Sequence, residues 1–413
     1  MSTLLVIIPD AISTIIAKGE YQPRYYNPGN LFDEVHILMT CKDVVKTSDM
    51  QHTVGTARLF IHSVPDPSGI IYNSPFFKPW MLNPKAAFLL SLFKKHFMRQ
   101  LDDWAGEVVN ITRQIKPDLI RCHANDYNAY AAGKIKEQLG IPYVVSLHIN
   151  PDVNPRRRVL DSNAPWQERL FANIFEPVEE IGLKSADRVL PVYSPIVAYL
   201  KRLGCENYEI AYNVLSDHVE EKKTYALHHP VRLISVGRHF PLKNPENIIR
   251  AVADMQDVEL TLVGDGPLQE PLMQQVKDAH LEQKVLLRPS IPNRELCHML
   301  PEYDIFVVHT EHWEISKALL EALLTGMPVL MNYREGTGGD PEELRGADFI
   351  LQTRNTPEGY REGLQRLIND PKYREELGRK AFKHARENWA PEITEAKYAK
   401  IYQQVMDGNR LNE

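Results

Sequence analysis

Short, continuous apolar runs alternate with amphipathic stretches along almost the whole chain. In the first half the runs are LLVIIP (4–9), EVHIL (34–38), ARLFIHSV (57–64), PDLIRCH (117–123), PYVVSLH (142–148) and DRVLPVY (187–193). Residues 86–115, 127–139 and 165–184 carry a helical period between them. After the polar segment EEKKTYALHHP (220–230) a second series follows: VRLISVG (231–237), VELTLVG (258–264), KVLLRP (284–289), DIFVV (304–308) and MPVLM (327–331). Strands that are apolar throughout, rather than on alternate positions, belong to parallel sheets covered by helices on both faces. The pattern predicts an α/β protein with two doubly wound, Rossmann-like domains, residues 1–215 and 216–385, and a hinge near 215–230. Helical segments at 357–370, 371–389 and 391–408 close the chain, and residues 386–413 are expected to pack back on the first domain.

Composition narrows the class. A chain of 413 residues exceeds one comfortable core. Its 43% hydrophobic and 25% charged residues are ordinary for a globular protein. A net charge of −6 gives no case for a nucleic-acid partner. The start, MSTLLVIIPD, reads as a buried strand rather than a signal peptide, and no run of about 18 apolar residues occurs. The expected location is the cytoplasm, including the inner face of the membrane. Cys41, Cys122, Cys205 and Cys297 form no Cys-x-x-Cys pair, so neither a metal site nor a disulfide framework is expected. There is no G-x-G-x-x-G, which argues against a nicotinamide or flavin site.

The remaining chemistry concentrates where strands hand over to helices, the edge at which open α/β sheets bind ligands. SVGRHFPLKNPENIIRAV (235–252) places Gly237, Arg238 and Lys243 in one such loop. A guanidinium fork and an ammonium both suit phosphate oxygens, though two cations in a loop are also ordinary solvated charges. LVGDGP (262–267) adds Gly264 and Gly266, whose missing side chains let backbone approach a ligand. HTEHWEISKALLEALLTGMPVL (309–330) holds Glu314 and Glu321 seven residues apart, with Ser316 a predicted N-cap before Lys317. Amides near Ile315, Ser316 and Lys317 would favour an anion. Glu321 lies among leucines and alanines, so its carboxylate needs internal partners. Cations, exposed amides and hydroxyl-binding acids together describe a nucleoside-diphosphate sugar.

These motifs resemble the nucleotide-sugar domain of the family-4 retaining glycosyltransferases of the GT-B fold, also called glycosyl transferases group 1. Gly237-Arg238 with Lys243 is similar to that family's G-R-x4-K. LVGDGP, ELCHMLPEYDIFVVHT (295–310) and GGDPEEL (338–344) follow in the family's order. The resemblance implies two facing domains with a cleft between them and metal-independent transfer of a sugar to a hydroxyl acceptor with retained configuration. UDP is the expected nucleotide, with GDP and ADP left open. Arg238 and Lys243 would hold the diphosphate, Glu321 the ribose, and the loop around Ile291 the base. The family's first acid stands eight positions before the second, which here is Trp313. Glu314, one residue nearer, is assigned that role on the transferred sugar, with Glu311 as the alternative.

In the first half, RCHANDYNAYAAGKIKEQLGIPYVVSLHIN (121–150) ends two predicted strands in His123 and His148. His148 matches the family's histidine beside the reacting carbon. His123, Asn125 and Asp126 match the polar loop assigned to the acceptor, and Arg156, within Arg156–Arg158, is a further acceptor candidate. Gly19, or else Gly29, would stand for the family's glycine-rich loop. Glu176 is expected to be structural. The basic stretch 88–101, with Lys94, Lys95 and Arg99, is either a domain helix with a solvated face or a peripheral membrane contact. Two other readings stay open: a nucleotide-sugar-binding protein that has lost catalysis, and a phosphorylase of the same fold.

Overall fold

A computed structural model describes residues 1–19, 22–66, 87–151, 177–311, 314–334 and 341–410. The chain divides into two compact units. The first comprises Met1–Ile16, Pro23–Tyr212 and Glu395–Glu413; the second comprises Ala17–Gln22 and Asn213–Thr394.

The first unit is built on a six-stranded parallel sheet of order β3-β2-β1-β4-β5-β6. Its strands are β1 (Thr3–Ile8), β2 (Glu34–Met39), β3 (Arg58–Ser63), β4 (Leu119–His123), β5 (Tyr143–Leu147) and β6 (Arg188–Pro191). Helices α1 (Ile12–Lys18), α2 (Ala87–Ile115), α3 (Tyr127–Leu139) and α4 (Pro195–Arg202) alternate with them. All six residues of β1 are buried, as a central strand covered on both faces must be. The described part of α2 puts Phe97, Leu101, Trp104, Ala105 and Val108 into this core and leaves Lys95 and Arg99 exposed. From Phe97 onward its apolar face thus packs within its own unit, and Lys94 lies outside the described side chains.

The second unit repeats the design in a sheet of order β12-β11-β10-β7-β8-β9, again wholly parallel. Its strands are β7 (Val231–Val236), β8 (Val258–Val263), β9 (Val285–Arg288), β10 (Ile305–Val308), β11 (Val329–Asn332) and β12 (Leu351–Thr353). Helices α5 (Glu246–Ala253), α6 (Gln269–Asp278), α7 (Asn293–Met299), α8 (Lys317–Thr325), α9 (Pro357–Asn369) and α10 (Pro371–Asn388) complete it. The sixth strand, β12, was not among the predicted runs: it is three residues long and only half-buried, too short and too polar to leave a pattern. In both sheets the order reverses beside the first strand, between β1 and β4 and between β7 and β10, and loops at such switch points diverge to leave a crevice.

Helix α11 (Pro391–Arg410) belongs to the first unit from Glu395 onward. Arg24 holds Glu395 with two bonds of 2.6 and 2.7 Å, and the Tyr398 hydroxyl donates to the Ala211 carbonyl at 3.1 Å. Beneath it Arg121, 1% exposed, lies 4.9 Å from the Tyr25 ring and 5.1 Å from that of Tyr398, with Tyr26 and Tyr402 about it. The aromatic faces supply the negative potential that a buried guanidinium requires.

Candidate active site

The second unit gathers its predicted residues at the carboxyl ends of β7 and β10. A small pocket there is walled by Gly237, His239, Lys243, His309, Glu314 and Ser316. Lys243 and Glu314 form an ion pair inside it, each side chain 17% exposed. The loops carrying them are tied together by the Glu311 amide, which donates to the Leu242 carbonyl at 2.8 Å. Asn332, at the end of β11, clamps the loop after β10 by exchanging bonds of 2.9 and 3.0 Å with the Thr310 backbone. Ser316 caps α8, its hydroxyl accepting from the Leu319 amide at 3.2 Å, so the first helical turn opens on the same pocket. Ile315 is buried and Lys317 half-buried beside it.

Arg238 stands apart from these groups: it is exposed, its guanidinium 5.2 Å from the Phe240 ring. His239, passed over in the motif reading, is instead the buried residue of that loop, its Nδ1 2.5 Å from Gln269 Oε1. Glu311 lies 3.5 Å from buried His309, itself a wall of the same pocket.

Gly264 and Gly266 also have a packing role. At φ of +153° and +154°, a Cβ on Gly264 would fall 1.9 Å from the Gly237 carbonyl oxygen, and one on Gly266 2.2 Å from that of His239. Their close approach is to the neighbouring loop's backbone, and it is what seats the loop that carries Lys243. Asp265 between them accepts from the Ser290 amide at 2.8 Å, and its bonds from Ser290 hold its carboxyl below the usual range.

Glu321 is 1% exposed, and Asn293, at the start of α7, donates to its Oε1 at 2.8 Å. Asn293 was not singled out in the sequence; the need for a partner was visible, but not which residue answers it. Ile291 sits half-buried in the loop just before. Gly19, at φ +62°, lies against Pro292 and Asn293, whereas Gly29 gives its amide to Glu395 at 2.9 Å and serves α11.

In the first unit, His123 at the end of β4 stacks on His148 after β5, ring centroids 5.1 Å apart. Burial, then the Arg121 charge and His148, push the His123 imidazole well below its usual range, so it is neutral at pH 7. His123 Nε2 and Asn125 Nδ2 are shut off from solvent and hydrogen-bonded to nothing among the described residues. Asp126 accepts from the Tyr127 amide at 3.1 Å and caps α3. Arg156, Arg157, Arg158 and Glu176 lie outside the described residues. Among the described residues no group of three or more His, Cys, Asp or Glu could hold a metal ion, and no helix is long and apolar enough to cross a membrane.

Residues 219–384 match the model of the family described as glycosyl transferases group 1, and residues 61–213 match that of a glycosyl transferase 4-like domain. The chain belongs to the group 1 glycosyl transferases. Among characterised relatives, this glycosyl transferase is 25% identical over 321 residues to N-acetyl-alpha-D-glucosaminyl L-malate synthase of Bacillus anthracis. The match covers 73% of this chain and 78% of that one. Its fold is shared with the sucrose-phosphate synthase of Thermosynechococcus elongatus (TM-score 0.68, 14% identity, 99% of this chain and 100% of that one). It is shared too with Anabaena HepE in complex with UDP and glucose (TM-score 0.65, 14% identity, 98% and 100%). These likenesses place the glycosyl transferase in the GT-B fold, with its two Rossmann-like units.

Proposed function

We propose that this glycosyl transferase moves a hexosyl group from a UDP-linked sugar to a hydroxyl acceptor, with retention at the anomeric carbon and without a metal cofactor. The observation that carries the reading is the convergence of Lys243, Glu314 and the capped first turn of α8 on one pocket. An ammonium and a helix N-terminus both favour a diphosphate. A carboxylate beside them accepts bonds from sugar hydroxyls, and Lys243 has three protons to divide between the two. The UDP held by HepE at this fold supports a uridine donor.

In the reaction the anomeric carbon–oxygen bond to the diphosphate breaks and a bond to the acceptor oxygen forms. The acceptor's proton passes to the departing diphosphate, whose charge Lys243 and exposed Arg238 offset. Gly237, Gly264 and Ile291 frame the nucleotide, Glu321 takes the ribose, and Gly19 belongs to a segment of the donor-binding unit. His148 faces the donor sugar, while His123, Asn125 and Asp126 meet the acceptor, a glycan, glycolipid or small glycoside met in the cytoplasm. Any contact with an anionic membrane would use exposed cations such as Lys95 and Arg99.

Thermal-shift measurements across a panel of UDP, GDP and ADP sugars test the donor reading. Wild type should be stabilised by one base's series, with the shift largely lost in Lys243→Ala. Stabilisation by none would overturn it. NMR of the product's anomeric proton then tests retention.

A further inference from the structure

Asn293 supports an inference that rests on the ribose role proposed for Glu321 and deepens it. The last torsion of a glutamate side chain is soft, so a carboxylate that must face two adjacent hydroxyls needs an orienting donor. Asn293, 7% exposed, provides one at 2.8 Å from Oε1. Its own Oδ1 accepts from Gln22 Nε2 at 3.2 Å, and Gln22 is 4% exposed. The two bonds determine which way the Asn293 amide faces. Turned over, it would set its oxygen against the carboxylate and its NH2 against that of Gln22. Gly19 also passes close to this position: a Cβ there would already lie 3.3 Å from the Asn293 nitrogen.

We propose that Gln22, Asn293 and Glu321 form a positioning relay. Asn293 sets the plane of the Glu321 carboxylate for a ribose diol, and Gln22 sets Asn293. The relay makes Gln22 a determinant of ribose recognition through Asn293.

The test compares binding of UDP and of 2′,3′-dideoxy-UDP by calorimetry in wild type, Asn293→Ala and Gln22→Ala. A bond to a charged group sets the scale, so wild type should prefer UDP by roughly tenfold or more. Asn293→Ala should shrink that preference to within about threefold, leaving dideoxy-UDP affinity unchanged, and Gln22→Ala should move it the same way. Asn293→Asp, which sets two carboxylates face to face, should lose UDP affinity relative to wild type, by a factor that grows as pH rises from 5 to 8. Folded variants that keep the wild-type preference overturn the relay alone. Should Asn293→Ala not fold, Gln22→Ala decides, because it leaves Glu321 its donor. A wild type that binds no nucleotide overturns the proposed function itself.

Discussion

Lys243 and Glu314 come from loops far apart in sequence, yet the fold pairs them. While paired, Glu314 competes with a diphosphate for the same ammonium. Glu314→Gln should therefore bind UDP more tightly, by roughly threefold to tenfold, while losing about 100-fold in transfer rate. Calorimetry alongside a transfer assay checks both arms; weaker UDP binding would contradict the competition. The candidate acids were legible because carboxylates next to a helix start are conspicuous in sequence. Asn293 was not, since an asparagine after a proline reads as ordinary turn chemistry until Glu321 is seen against it. The glycines of LVGDGP were legible as a turn, but their packing role was not, for only the fold brings the Gly237 carbonyl beside Gly264. Gly264→Ala forces backbone apart as well as straining φ, and should destabilise the second unit by about 3 kcal/mol or more. Urea denaturation measures it, and a change below about 1 kcal/mol would contradict the contact.

At the scale of elements, eleven of the twelve described strands followed from apolar runs, most plainly the central ones, which are buried on both faces and need nearly every residue apolar. β12 escaped because an edge strand of three half-buried residues makes no such demand. What seats α11 was beyond the pattern for another reason: it is a cluster of tyrosines around buried Arg121, and an amphipathic period says nothing about which cation a helix will cover. Tyr398→Ala removes one wall of that cage and its bond to Ala211, and should cost about 3–5 kcal/mol. Tyr398→Phe, which keeps the ring, should cost about 1 kcal/mol. Equal losses in the two variants, read from chemical denaturation of the first unit, would contradict the cage.

Across the whole molecule, His36, His62, His123, His309 and His384 are all held below their ordinary range, burial being the largest cause in each. The folded chain thus binds fewer protons than the unfolded one. Stability should be full above the unfolded value of about 6.5 and fall as pH drops below it. The Tm should decline between pH 7 and 5, and His36→Gln, which relieves the His36–His62 pair at 3.0 Å, should flatten the decline. A Tm independent of pH over that range would contradict it. Both units share one architecture, and the chemistry assigned to each differs: phosphate, ribose and sugar groups in the second, a stacked histidine pair in the first. The most direct test joins them. Purified protein incubated with UDP-sugars and candidate acceptors should release UDP with formation of a glycoside, and Arg238→Ala with Lys243→Ala should abolish release. Tight binding of UDP with no turnover of any sugar donor would contradict the assignment.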